Sequence, residues 1–439
     1  MLLRLVLAIP ILLMPNLLYV PLDTGVPGLN LANLLLLALV AAVALSAPPT
    51  APTTGIGTLT PPLLLLFLVL AIATVIAMVS MPMDPLDDLV DLKDFVFYPL
   101  LYFVYRRCRQ DLAGTRQLIW LTVAVAVAAG IDAVLQGIEM DTLSSFSDTN
   151  RVAGPFGDYR SANRAGVFFV MFLPMLAAAV LFLRGHGFMR LLAAGGAAIL
   201  ALAILLTYSR QAYLIAVVVL ALLVVRKHVL LALLLAVAAL PALTLVPTGV
   251  VERVTETRQE NVVGGPGLDV STASRFEIWS GAIDMWQEHP AGVGLGRFPE
   301  YIGDYSEYEH YDAHNMYVLM LAECGPLGLF AMLWLLWRLL RLGFNVSRAS
   351  GDAETRMLGL GFTATVVAMA MGNLYGSPFH EGLVMANFWI LCGLMERYGV
   401  LKRQVAAQPV DDTSLASTIY ERFPLAGHIA PGRYRQDFR

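Results

Sequence analysis

The chain has 439 residues, 58% of them hydrophobic and 14% charged, and its mean hydropathy of +0.68 lies above that of a soluble domain. A net charge of −4 gives no basic surface for nucleic acid, so no such partner is expected. Cys108, Cys324 and Cys392 are scattered in or beside apolar runs without CxxC spacing, which argues against a disulfide and against a zinc site.

Crossing roughly 30 Å of hydrocarbon takes about 20 apolar residues, and backbone facing lipid must bond within its own segment, so the apolar runs predict helices rather than a barrel. The fold class expected is an all-α polytopic membrane protein. About twelve spans are expected, near 2–20, 29–46, 62–80, 93–106, 117–137, 162–183, 190–208, 210–225, 229–247, 313–340, 354–375 and 381–398. Arg4 precedes the first run and no small-residue cleavage site follows it, so that run is expected to be a retained helix. The connections "YRRCRQ", "RGHGFMR", "VVRKH", "WRLLRLGFNVSR" and "ERYGVLKR" are basic and alternate with basic-poor ones. By the positive-inside trend both termini are cytoplasmic, and the turns near 81–93, 138–161, 208–211 and 376–380 lie outside. Four regions result: helices one to nine over 1–247, a large external loop over 248–312, helices ten to twelve over 313–400, and a polar cytoplasmic tail over 401–439.

The departures from this pattern gather on the external side. Between Thr248 and Asp312 there are twelve Asp or Glu, four Arg and no Lys. Arginine alone points to geometric contact with anions, because a guanidinium forks onto phosphate or carboxylate. Arg164 in "SANRAGVFF" and Arg210 in "TYSRQAYL" sit at external span ends, where they anchor at headgroups, partner the acidic loop, or form an external site for a phosphorylated lipid. Within the loop, "SRFEIWSGAIDMWQEHPAGVGLGRF" predicts a helix ended by His289-Pro290, then a turn whose Gly292, Gly294 and Gly296 let backbone approach another surface. This run follows no strand and has no P-loop lysine, which argues against nucleotide binding. In "YDAHNMYVLMLAECGPLG", His314 and Asn315 open the tenth span, Glu323 lies deep in it, and Pro326 predicts a kink or break. Glu323 either pairs with another intramembrane polar group or supports the site. Asp84, Asp87, Asp88, Asp91 and Asp94 recur on one helical face, read as the solvated acidic start of the fourth span in preference to a cation site. Tyr301, Tyr305, Tyr308 and Tyr311 recur at helical spacing, either as an interfacial belt or as stacking partners for sugars. His380 and Glu381 stand in the last external turn, "SPFHEG".

Asn163, then "YSR" at Tyr208 to Arg210, then "R…IW…HPAGVGLGRF" from Arg275, then "HNMYVLMLAECGPLG", taken in that order, resemble the O-antigen ligase and polymerase superfamily over roughly residues 155–330. The resemblance implies a multi-span, GT-C-like glycosyltransferase of the bacterial inner membrane, with its large loop and active site in the periplasm. It implies a glycan donor on undecaprenyl pyrophosphate, a lipid A core acceptor, no metal and no cofactor. By the family pattern Arg210 and Arg275 hold the donor pyrophosphate, and His314 acts at the acceptor hydroxyl as base or as orienting group; Arg164, beside Asn163, is added to the pyrophosphate set without a fixed family role. Asn163, Tyr208, Asn315 and Glu323 support them, and Tyr311, Arg297 and His380 are acceptor or sugar contacts.

The chemistry asks for charge stabilisation at the departing pyrophosphate and a base at the nucleophile, which arginines and a histidine supply. Direct in-line attack would invert the anomeric carbon. The leading expectation is an O-antigen ligase; a polymerase joining lipid-linked repeat units uses the same donor, and transfer to a protein side chain ranks below both. A transporter is the reading from another class, but its site belongs near the midplane of two matching halves, whereas the polar outliers here cluster at external ends.

Overall fold

The computed structural model describes residues 2–19, 31–45, 55–142, 147, 149–183, 185–228, 258–260, 266–268 and 270–407. The first helices are α1 (Leu2–Leu13), α2 (Leu31–Leu45), α3 (Thr60–Ser80), α4 (Pro85–Phe97), α5 (Leu100–Arg107), α6 (Leu112–Glu139), α7 (Ala162–Phe182), α8 (Gly187–Leu206) and α9 (Arg210–Lys227). A small antiparallel hairpin, β1 (Arg258–Glu260) with β2 (Pro266–Leu268), precedes α10 (Val270–Glu288) and the short α11 (Phe298–Tyr301). The chain continues through α12 (Met316–Ser347), α13 (Ala353–Gly372) and α14 (Gly382–Ala407). Six helices among the described residues, namely α3, α6, α7 with its lead-in, α8, α12 and α13, are long and apolar enough to cross a membrane.

Each expected span coincides with helix except the ninth, 229–247, which lies outside the described residues, as does the tail beyond 407. The expected fourth span is not one helix. Tyr98 and Pro99 both keep helical backbone, but Pro99 has no N–H for the i to i−4 bond, so the segment divides into α4 and α5. The tyrosines of 301–311 do not share a helical face either: α11 ends at Tyr301 and a 3-10 turn, Ile302–Asp304, follows.

The most enclosed helix is α7, whose residues from Ala165 to Ala179 are all buried, against α13, α8 and α9. Close approach comes from small residues. Gly166 faces Ala212 and Ser209, and Gly361 of α13 faces Met175 and Ala178. At the other side of the bundle α14 packs on α5 and α6. There a buried ion pair joins Arg106 Nε to Glu396 Oε1 at 3.1 Å, and Tyr102 Oη and the Thr58 N–H also donate to that carboxylate, at 2.6 and 2.8 Å.

The segment between α10 and α12 is wedged into the bundle. Gly325 leaves the helical region of α12 (φ 66°, ψ −171°), and Pro326 has no N–H to give the carbonyl of Ala322, four residues back. Val293 N–H supplies that bond at 2.9 Å, Gly294 N–H bonds Glu323 O at 3.1 Å, and Leu295 N–H bonds Ala73 O of α3 at 3.2 Å. The turn therefore alternates. Val293 and Leu295 are buried, while Gly292, Gly294 and Gly296 have φ of 90°, 106° and 72° and lie against neighbouring atoms. A Cβ at Gly294 would stand 2.6 Å from the Ala77 backbone. Gly294→Ala is expected to cost about 1–3 kcal/mol in backbone strain and about 1–3 kcal/mol in overpacking. Gly195→Ala, on the exposed face of α8 where a Cβ meets nothing within 4 Å, is expected to leave stability unchanged or raise it. Thermal melting of the two variants in one detergent checks this; equal melting temperatures would remove the wedge from the account.

Candidate active site

His314 has a left-handed backbone (φ 45°), an uncommon conformation for a residue with a side chain. Three contacts hold it there. Asn315 caps α12, its Oδ1 accepting from the N–H groups of Tyr317 and Val318 at 3.0 and 3.2 Å. Trp279 of α10 donates its indole N–H to Ala313 O at 2.8 Å. Met316 N–H reaches Asn373 O at 2.9 Å, in the turn that joins α13 to α14.

That turn gathers the other candidates. Asn373 is fully buried and accepts from Phe379 N–H at 3.2 Å, which fixes the path of residues 373–379. Gln211, next to Arg210 at the start of α9, donates to Gly372 O at 2.6 Å. Tyr375 packs its ring on Trp279 at 5.7 Å and lies under the Arg275 guanidinium at 5.1 Å. Glu381, at the far end of the turn, pairs with Arg164 of α7, Oε1 to Nε 3.0 Å. Arg164, Arg210, Arg275 and His314 come from four separate parts of the chain, and each part is tied to one ten-residue turn.

Asp312 completes the histidine's surroundings, its Oδ2 lying 3.4 Å from His314 Nδ1. Burial works against its charge, yet the hydrogen bond and charge of His314, with the charge of His380, hold its carboxyl below the usual range. With Nδ1 facing an ionised carboxylate, Nε2 is the nitrogen left to accept a proton. Burial pushes the imidazole of His380 below its ordinary value; Asp312 opposes this and Arg164 adds to it. His380 packs on Phe95, and its Nδ1 is buried without a hydrogen-bond partner among the described residues.

The remaining predicted residues divide. Asn163 accepts from Arg151 Nη2 at 2.6 Å, and Arg151 Nε donates to Thr207 O at 2.9 Å, so Arg151 joins the start of α7 to the turn before Arg210. Tyr208 is buried, with its hydroxyl on Thr142 O at 2.7 Å, and serves that turn from within. Tyr311 is exposed and packs edge-on to Tyr308. Glu323 is a brace of the glycine turn, its carboxylate accepting from Phe298 N–H at 3.2 Å. Arg297 lies apart from the cluster: it and Asp88 are each 2% exposed and form an ion pair at 2.6 Å. The expectation of a solvated acidic face on α4 is corrected for Asp88, because Arg297 draws it into the interior. Asp312, Asn373, Tyr375, Gln211 and Arg151 are the working residues that sequence reasoning passed over. Asp312 carried a signal, two residues before the histidine.

Residues 195–333 match the family model for O-antigen ligase. The resemblance read from the sequence is borne out over that segment, which runs from α8 past the kink of α12 and contains Arg210, Arg275 and His314. No curated protein matches the chain. An activity of O-antigen ligase or polymerase type is thereby supported in broad terms, in a protein with six described helices long and apolar enough to cross a membrane.

Breaking a buried ion pair by removing one partner costs about 3–5 kcal/mol. Arg297→Met is therefore expected to lower the melting temperature sharply while the protein that remains folded keeps its transfer rate. A normal melting temperature with a lost rate would return Arg297 to the list of sugar contacts.

Proposed function

We propose that the protein transfers a glycan from undecaprenyl pyrophosphate to a sugar hydroxyl of lipid A core at the periplasmic face of the bacterial inner membrane. The observation that carries this reading is the convergence of three arginine-bearing helices and a carboxylate-backed histidine on the turn from Gly372 to Glu381. Arg210 and Arg275, with Arg164, take the pyrophosphate, since guanidinium groups fork onto phosphate oxygens and meet the charge that builds on the leaving group. His314, oriented by Asp312 at 3.4 Å, accepts the proton of the acceptor hydroxyl through Nε2. The acceptor oxygen bonds to the anomeric carbon as the bond from that carbon to the pyrophosphate oxygen breaks. Undecaprenyl pyrophosphate departs with the electron pair, and one direct displacement inverts the anomeric centre.

The same machinery serves a polymerase whose acceptor is a second lipid-linked repeat unit, a reading that the family match also supports. The two activities differ in what approaches His314. In the proposed topology the termini are cytoplasmic, twelve spans surround the site, and residues 248–312 form its external wall.

The test is transfer in proteoliposomes with undecaprenyl pyrophosphate-linked glycan and lipid A core, without nucleotide or added divalent metal. His314→Ala, Arg210→Ala and Arg275→Ala are each expected to lower the rate at least a hundredfold, within the range of a lost general base or a lost charge contact. Asp312→Asn is expected to lose less, about tenfold, because the histidine remains. Lys at either arginine restores part of the rate. Longer lipid-linked chains in place of modified core would assign the polymerase activity, and full rates in the arginine variants would refute the pyrophosphate role.

A further inference from the structure

Arg164 and Glu381 join an arginine of the site directly to a carboxylate of the central turn, and the pairing is lopsided: Arg164 is 57% exposed and Glu381 18%. The fold fixes the carboxylate's position through its backbone. Glu381 N–H bonds Pro378 O at 2.9 Å, and Glu381 O opens α14 by accepting from Val384 and Met385 at 3.1 and 3.0 Å. The next residue, Gly382, lies so close to the Tyr98 ring that no side chain fits there. None of these bonds uses the Glu381 side chain. The carboxylate, unused by the turn's own backbone bonds, therefore stands on a cation of the proposed anion site. Burial pushes its carboxyl up to about 7; Arg164 and His314 pull it back and Asp312 adds to the rise.

We propose, building on the donor reading above, that Glu381 is a specificity-determining residue that holds Arg164 against the singly charged phosphodiester headgroups of the surrounding membrane and gives it up to a lipid diphosphate. Arginines at the ends of spans lie at headgroup depth, where phosphodiesters carrying one negative charge are in large excess over any donor. An uncovered guanidinium there would be occupied by bulk lipid. With Glu381 in place, a phosphodiester gains little by exchanging one carboxylate for one phosphate. A diphosphate brings a second charge, which reaches Arg210 or Arg275 while the first displaces Glu381. The ion pair is partly exposed and weak enough to be displaced, so the carboxylate filters without sealing the site.

The experiment measures binding of farnesyl diphosphate to the full chain in nanodiscs of phosphatidylcholine, with and without phosphatidylglycerol, for wild type, Glu381→Gln, Arg164→Ala and the double variant. Bilayer charge repels the probe equally in all four, so the reading is the ratio between variants. Glu381→Gln is expected to bind the probe about three- to tenfold tighter than wild type in phosphatidylcholine and to lose that advantage when phosphatidylglycerol is added. In the Arg164→Ala background the same substitution is expected to change nothing. An unchanged or weaker affinity in Glu381→Gln, or an advantage that survives phosphatidylglycerol, overturns the filter while leaving the donor site standing. Failure of wild type and every variant to bind the diphosphate overturns the donor reading and the filter together.

Discussion

A proline without an N–H organises the molecule. Pro326 leaves the Ala322 carbonyl unanswered inside α12, where no water is at hand to take it, and an unbonded carbonyl at that depth costs several kcal/mol or more. The protein answers with the backbone of the segment between α10 and α12. Val293 and Gly294 bond the opened turn of α12 while Leu295 bonds α3, so one strand of glycine-rich chain bridges two long helices. Because the same strand leads from α10, which carries Arg275 and Trp279, that helix is held at a fixed height against the helix that follows His314.

The site depends on an inversion of the usual relation between loops and helices. The ten residues from Gly372 to Glu381 are a short connection, yet Gln211, Tyr317, Met316 and Arg164 all reach them or the end of the helix before them. Helices bring the charges near, and a turn sets their mutual positions. Asn373 makes this workable: it is buried, and its side chain both donates to Met369 O and accepts from Phe379 N–H, so the turn is as well bonded as the helices it serves.

The sequence reveals the parts of this arrangement that depend on residue chemistry and hides those that depend on who meets whom. Gly325-Pro326 announces a kink and the alternating glycines announce a close approach, because each constrains its own backbone. His314-Asn315 announces a helix start with a polar residue before it. The partners of those features are silent: Ala73 and Ala322 offer carbonyls that any residue would offer. Asp88 reads as part of a solvated face because its period is helical, and Arg297, more than two hundred residues on, converts it into an interior ion pair. Glu381 reads as a loop residue until the fold brings α7 beside it. Tyr301 to Tyr311 mislead for the opposite reason, since helical spacing survives in a segment whose helix has already ended.

The buried pair of Arg106 and Glu396 sets the order in which the molecule is completed. Its members are 290 residues apart, and the carboxylate belongs to the last described helix. At about 5–20 residues per second, synthesis separates them by about 15–60 s. During that interval Arg106 has no Glu396, and Tyr102 and Thr58 have no acceptor for the bonds they later make to it. Joining of α5 to α14 is therefore a terminal event of biogenesis. It coincides with the arrival of the turn that draws Arg164, Arg210, Arg275 and His314 together, so that cluster is completed only when the last described helix is in place.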